Sequence, residues 1–372
     1  MTFTEDNDVV LLFVFIVTLA VIFVGAIVGL ALVIRKASKR HREFQQSELH
    51  EFFAKKLYDV LHAAGRKRGE QRILVKDLKE HLEHAGPFSR RLQRETLRGV
   101  MIDAARDLVG DSRVVLNQMF AQLGFVDEEL RDLRSKHWWV RAKACRATSL
   151  MESRAALDPL VALLEDNEED VRVEAAMALV TIAGTDALGP LLHHLRMISV
   201  WMSLHLSQAI LKLGSSAVDD LMKGLNVDPP SVRSFCVQML GALGDVRAIA
   251  PLIEFARDAE VPLRCQTITA LSVLGDESSM SFLMECCSHE SEDVRRSAAA
   301  ALGRIDAPMA VPFLRDLLVR DSVDVKLAAG ESLARLGRPG MEALREVIGS
   351  ADELARSIAR QFRNEFEPSA QQ

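Results

Sequence analysis

Two adjacent pairs of side chains offer the sharpest chemistry in the 372-residue sequence, His193–His194 and Cys286–Cys287. Neighbouring imidazoles could hold a metal ion, yet successive helical residues point about 100° apart, so one ion cannot take both well. Neighbouring thiols could form a redox couple, but their β-carbons diverge along a helix and the disulfide geometry is not met. Core packing is the expected role of both cysteines. The five cysteines are an odd set without metal-ligand spacing, which argues against a disulfide framework or a zinc finger. The chain contains no glycine-rich phosphate loop, no G-x-S-x-G and no H-E-x-x-H. No catalytic, cofactor-binding or metal-binding residue is assigned, and the expected function is not enzymatic.

Recognition is the chemistry that remains. Lys143, Arg146, Glu174, Trp201, His205, Gln208, Lys212, Gln238, Gln266, Arg304 and Arg335 are the candidate partner-binding residues, with Thr269 and Glu331 among them. Together they form a mixed polar strip suited to a protein or peptide. A solvated helix face with no partner is the alternative, since exposed polar residues are the default. Trp139 and Trp201 occupy the same place in the pattern described next, with Trp138 beside them. Tryptophan is enriched at binding hot spots. It also serves as a packing plug where a repeat begins, which is the expected role here.

The strip residues stand at fixed offsets from a row of index residues: Val140, Val171, Met202, Val232, Leu263, Val294 and Val325. Their spacings are 31, 31, 30, 31, 31 and 31. Four residues on come Ala144, Ala175, Leu206, Cys236, Thr267, Ala298 and Ala329, most of them small. Seven on come Ala147, Ala178, Ala209, Met239, Ala270, Ala301 and Ser332. Offsets of 4, 7, 8 and 11 trace one buried face of a helix. The strip takes offsets 3, 6 and 10, the exposed side. A shorter helix precedes each of these, opening at Pro159, Pro190, Pro251 or Pro312 in four copies, where proline's missing N–H costs nothing. Gly184, Gly214, Gly244, Gly275 and Gly337 end helices, as a left-handed cap requires. Each unit is a helical hairpin that cannot bury its apolar face alone, and stacking the hairpins makes a continuous core. The fold is predicted to be all-α: a transmembrane helix, a helical stalk, then an α-solenoid of about seven hairpins.

The copies from Val232–Arg233 to Gly244 and from Val325–Lys326 to Gly337 read V-R-x-x-A-x-x-A-L-x-x-L-G most cleanly. They resemble the short bacterial type of HEAT repeat, often called PBS-lyase-like, over roughly 126–348. The third copy departs from the motif, with Ser203 in the Arg place and Leu206 in the Ala place, so local distortion is expected there. The resemblance implies that Arg141, Arg172, Arg233, Arg264, Arg295 and Lys326 pair with acidic turn residues of neighbouring repeats. Asp166, Asp228, Glu260 and Asp321 are the candidate partners. Some HEAT proteins are di-iron hydroxylases with recurring His-Glu pairs, but His289–Glu290 falls in a turn and His50–Glu51 lies outside the repeats. Related repeats also occur in phycobilin lyases and in alkylpurine glycosylases. A chromophore-directed or nucleic-acid-binding protein is the alternative on that ground. Net charge is -6, and residues 113–372 hold 28 Lys plus Arg against 37 Asp plus Glu, a balance that disfavours nucleic acid.

From Val9 to Ile34 the sequence has no charged side chain. At about 1.5 Å per residue such a helix outruns a hydrocarbon core of roughly 30 Å. The start is acidic (Glu5, Asp6, Asp8) and no small-residue cleavage site follows, so an uncleaved membrane anchor is expected rather than a signal peptide. Gly25 and Gly29 form a G-x-x-x-G, a candidate homodimer face or simply two small residues of a membrane helix. Arg35, Lys36, Lys39, Arg40 and Arg42 follow the span, which places the rest of the chain in the cytoplasm, and the resemblance to bacterial repeats implies the inner membrane of a bacterium. The predicted organisation is residues 1–8 outside, 9–34 in the membrane, 35–112 a basic helical region, 113–349 the solenoid, and 350–372 a helix and tail. Residues 35–112 hold 18 Lys plus Arg against 12 Asp plus Glu. Helices are expected there over 43–64, 73–82 and 88–108. Bacterial chains of this layout resemble proteins found beside polysaccharide glycosyltransferases. Such an enzyme, or a signalling protein, is therefore the candidate partner of a tethered scaffold. A reporter fused after Gln372 is expected to read cytoplasmic, and neutralising the five basic residues after Ile34 to give mixed orientation. A reporter active only outside the cytoplasm would contradict the topology.

Overall fold

The computed structural model describes residues 44–62, 68–84 and 87–366, together with six positions between Leu32 and Arg40. The expected span over 9–34 (Leu32 and Val33 apart), its Gly25 and Gly29, and the tail beyond Phe366 lie outside the described residues. Every regular element among the described residues is a helix. One stretch of them, Glu169–His194, is long and apolar enough by length and composition to cross a membrane. It is broken at Gly184, and 56% of its apolar window is buried within the fold, as core helices of a solenoid are. The chain divides into two compact units at Glu128 and Glu129.

The first unit contains α1 (44–62), α2 (Arg68–His84), α3 (Pro87–Asp107) and α4 (Asp111–Gln122), and α5 (Phe125–Asp132) begins in it. Its core takes Phe53, Leu57 and Val60 from α1, Leu78 and Leu82 from α2, Leu97 and Met101 from α3, and Met119 and Phe120 from α4. Phe44 and Phe52 of α1 are 61% and 39% exposed. The buried row is 53, 57 and 60, a spacing of four and three, and Phe44 and Phe52 fall off that line. Arg94 bonds the Glu128 carboxylate at 2.6 Å and the Leu123 carbonyl at 2.9 Å.

The second unit is a stack of hairpins. The second helices are α6 (Trp138–Leu150), α8 (Glu169–Ala183), α10 (Val200–Leu213), α12 (Pro230–Leu243), α14 (Val261–Leu274), α16 (Glu292–Ile305), α18 (Val323–Arg335) and α20 (Glu353–Phe366). The first helices between them are α7 (Leu157–Leu163), α9 (Leu188–His194), α11 (Val218–Gly224), α13 (Ile249–Asp258), α15 (Glu277–Cys286), α17 (Val311–Arg320) and α19 (Gly337–Ile348). The left-handed residue between hairpins is Gly184 (φ 58°), Gly214, Gly244 or Gly275, and in the sixth copy Asp306 at φ 55°. Asp is among the few other residues that tolerate this region.

The index residues lie on the buried face, all but Val140 fully. Small residues at offsets 4, 7 and 9 let consecutive second helices approach. A β-carbon on Gly241 would stand 2.8 Å from Ala270 Cβ, and one on Gly303 would stand 2.7 Å from Ser332 Cα. Ser332 is buried, and its hydroxyl donates across that seam to the Ala299 carbonyl at 2.8 Å. The chain's last helix belongs to the same stack. α20 buries Ala355, Ile358, Ala359 and Phe362, and its Ile358 and Phe362 cover Gly330 of α18. It is the second helix of one more hairpin than the index row counted.

The expected ladder is present at the ends and open in the middle. Arg141 grips both oxygens of Asp166 at 2.7 Å, and Arg295 grips Asp321 at 2.6 and 2.8 Å. Lys326, buried, meets Asp352 at 2.7 Å. Arg264 instead meets the His289 Nε2 and the carbonyls of Ala256 and Arg257. Arg172 bonds only carbonyls of its own turn, and Asp228 pairs with Arg233 of its own hairpin. Glu260 makes no side-chain bond to a described residue, so as a ladder partner it is corrected. The Arg295 bond holds the Asp321 carboxyl below its usual range, against the effect of burial. Burial works to raise Asp166, and the Arg141 bond with the Glu168 amide outweighs it.

Two outcomes follow from this packing. Ala298→Leu is expected to overpack the seam by roughly 1–3 kcal/mol in urea unfolding, and an unmoved midpoint would contradict the register. A carboxyl whose pKa is lower in the fold contributes stability above its unfolded pKa of about 3.9, and loses it as pH falls through the folded value. Asp321→Asn is therefore expected to cost about 1.5–3 kcal/mol at neutral pH and to shrink the loss of stability on going below about pH 4. Equal acid sensitivity of the variant and the unchanged chain would show that the rung contributes nothing.

Candidate partner-binding surface

The strip is built by the outward sides of the second helices. Lys143 and Arg146 stand on α6, Glu174 on α8, and Trp201, His205, Gln208 and Lys212 on α10. Gln238 follows on α12, Gln266 and Thr269 on α14, Arg304 on α16, and Glu331 and Arg335 on α18. All are exposed except Glu174, His205 and Glu331, which are half-buried.

Several of these side chains spend their polarity on one another. Arg146 meets Glu174 of the next helix at 2.6 Å, which raises the arginine's already high pKa through that hydrogen bond. The Ser234 hydroxyl donates to Gln266 at 2.6 Å, Arg304 reaches the Ser272 hydroxyl at 3.5 Å, and Arg335 pairs with Glu331 at 2.5 Å. Lys143, Gln208, Lys212 and Gln238 are different. They make no side-chain hydrogen bond or ion pair to any described residue.

The tryptophans are not plugs. Trp138, Trp139 and Trp201 are 40%, 55% and 54% exposed. Trp139 and Trp201 lie one residue before the index position, about 100° around the helix from the buried face. Trp201 stands edge-on to His205 with ring centroids 4.4 Å apart, and His137 stacks on Trp139 at 4.5 Å. Around Trp201 the same helix exposes Val200 and Leu204, with Met197 just before it and Leu211 further along, a patch absent from the expected strip. The available signal was Leu206. A fully buried leucine where other copies place a small residue keeps neighbours from closing in, and α10 packs less closely on α8 and α12 than the later second helices pack on each other.

The groups that first suggested chemistry are occupied structurally. Cys286 and Cys287 are each 5% exposed, and burial pushes both thiols up to about 12. Burial does the same to Cys145 and Cys236, so these four thiols are poor nucleophiles at neutral pH. The rings of His193 and His194 are 89° apart, and His194 faces Glu165 at 3.4 Å. The His289 Nδ1 accepts from the Ser291 amide at 3.0 Å while its other nitrogen meets Arg264. Among the described residues, no three His, Cys, Asp or Glu side chains gather closely enough to hold a metal ion.

Comparison with known proteins follows the repeat geometry. No curated protein sequence matches the chain. Among solved structures it is similar to an engineered protein, with 18% identity over 84% of this chain and 98% of that one and a TM-score of 0.35. It is similar to human deoxyhypusine hydroxylase in complex with glycerol, at 18% identity over 79% and 96% of the two chains and a TM-score of 0.30. The complex of CpcE and CpcF of phycocyanin lyase from Nostoc sp. matches at 18% identity over 65% and 94%, with a TM-score of 0.28. A family model described as HEAT repeats matches residues 128–201, 218–302, 249–334 and 281–361. Those matches take in the stacked hairpins from α6 into α20 apart from residues 202–217, which hold most of α10, and the chain belongs to the HEAT-repeat family.

Proposed function

We propose that this HEAT-repeat solenoid is a non-enzymatic scaffold, tethered to the inner membrane through residues 9–34, whose cytoplasmic second-helix strip holds a protein partner. A membrane-associated enzyme, with a polysaccharide glycosyltransferase as candidate, or a signalling protein fits that position. Tethering raises the local concentration of both partners without any new contact. The observation that carries the reading is the exposed surface of α10, where Trp201 and Leu204 lie beside Gln208 and Lys212, polar groups that bond no described residue. An aromatic and aliphatic centre with a polar rim is the composition of a hot spot.

Affinity capture from detergent-solubilised membranes, after crosslinking, tests the reading. Lys143→Glu with Lys212→Glu is expected to weaken capture while moving stability by no more than about 0.5 kcal/mol, because exposed charges steer association more than they hold folds. Arg146 is left unchanged, since reversing it would break its pair with Glu174. Trp201→Ala is expected to cost about 2 kcal/mol or more of affinity at nearly constant melting temperature. Capture of the same protein by both variants at unchanged strength would overturn the assignment of the strip.

A further inference from the structure

Helix α10 is apolar on two opposite sides. Met202, Leu206 and Ile210 form its buried side. Val200, Leu204 and Leu211 are 90%, 55% and 47% exposed. At about 100° per residue these three fall within about 40° of one another and point away from Met202 and Leu206. Trp201 stands on one shoulder of this second ridge, and Met197 extends it into the turn before the helix. Lys212 is the one residue of α10 with a full charge. Apolar surface all round is the pattern of a helix covered on every side. Within the solenoid α10 is covered on one.

The two ends of the ridge differ in charge. Residues 165–170 hold five carboxylates in six places. Glu165 is taken by Arg196, Asp166 by Arg141, and Glu169 by the Ser199 hydroxyl. Glu168 and Asp170 are exposed, and their side chains bond no described residue. Arg146 feels the charge of Asp170, but its own hydrogen bond goes to Glu174. Asp170 stands on α8 one residue before the index position, level with Trp201 on α10. The N-terminal end of the ridge is therefore acidic. The far end carries Lys212, exposed and equally unbonded. An occupant that complements both ends is basic at one end and acidic at the other. It is also helical. A straight ridge of apolar side chains seats against the ridge of another helix, whereas an extended strand turns every second side chain away.

We propose that α10 is the seat of an amphipathic helix of a partner protein, about 15 residues long to match a ridge of roughly 20 Å. Its apolar stripe covers Val200, Leu204 and Leu211, its basic end lies beside Asp170, and its acidic end lies beside Lys212. A helix with its basic residues in the last turn, the order its own macrodipole favours, runs antiparallel to α10. The inference rests on the reading of the strip as a binding surface and specifies what that surface takes.

The probe is a stapled, fluorescent helical peptide of about 15 residues, with leucines three and four apart, glutamates in its first turn and lysines in its last. By anisotropy, it is expected to bind the full chain in detergent micelles at least about tenfold tighter than Leu204→Gln with Leu211→Gln in the same micelles. Orientation is read from Trp201, the one tryptophan left once Trp138 and Trp139 are replaced by Phe. A nitroxide on the lysine end of the peptide should quench Trp201, and one on the glutamate end should not. Asp170→Lys with Lys212→Glu should reverse which end quenches. Both are exposed, and an unchanged melting temperature shows that the fold is kept. Equal affinity for the two chains, or quenching that ignores the charge reversal, would overturn the proposal. Displacement of the peptide by unlabelled chain, with a doubled mass, would assign the ridge to a second copy instead and overturn it too. Protein capture that depends on Trp201 while the peptide fails either test would overturn the helix and leave the strip standing.

Discussion

The structure depends on how closely one second helix can approach the next. Where Gly241 meets Ala270 and Gly303 meets Ser332, the helices touch with almost no side chain between them. Such contact admits no extra methylene, and it removes apolar surface from water on both helices at once. A hairpin alone would leave that face wet, so each unit requires its neighbour, and stability accumulates along the stack rather than within a single centre. The 31-residue period is the covalent consequence. It is the length of chain needed to leave one seam, turn over a first helix, and return in register for the next.

The features that distinguish this chain from a plain repeat cluster where that rule fails. In the third copy Leu206 fills a small-residue place, and α10 then exposes Trp201, Leu204 and Leu211. The ladder fails over the same stretch, with Arg172 confined to its own turn, Ser203 without a guanidinium, and Arg233 paired only with Asp228 of its own hairpin. The outer hairpins keep bidentate rungs at Arg141 and Arg295 and a buried lysine rung at Lys326. The middle of the solenoid therefore lacks bidentate rungs, and its hairpins are tied elsewhere, by Arg196 on Glu165, Ser199 on Glu169 and Arg247 on Asp219. It presents an apolar patch that a uniformly repeated sequence would lack.

Much of this was legible in the sequence because the repeat presents the same constraint many times over. The index residues, the small residues after them and the glycine stops all fall where the period placed them. The last helix was expected, but its place in the stack escaped because Ala355 replaces the larger index residue and comes 30 residues after Val325, so the row ended one hairpin early. The tryptophans escaped because large aromatic residues favour burial in general, while their particular offset turns them outward. His289 escaped because a histidine set beside an arginine carries no acidic signature in the sequence. The pairing of Arg233 with Asp228 of its own hairpin required the turn geometry, since Glu260 reads as a suitable partner in one dimension.

The central claim is that the outward face of the second helices is an occupied surface in the cell. Site-specific photocrosslinking addresses it most directly, with a photoreactive residue placed in turn at Gln208, Gln238 and Gln266 of the full chain in living cells. The account predicts one discrete protein adduct shared by neighbouring positions and strongest at Gln208, beside Trp201. No adduct from any of the three, while the same probe at Tyr58 or Phe44 of α1 yields one, would contradict it and move the partner to the first unit.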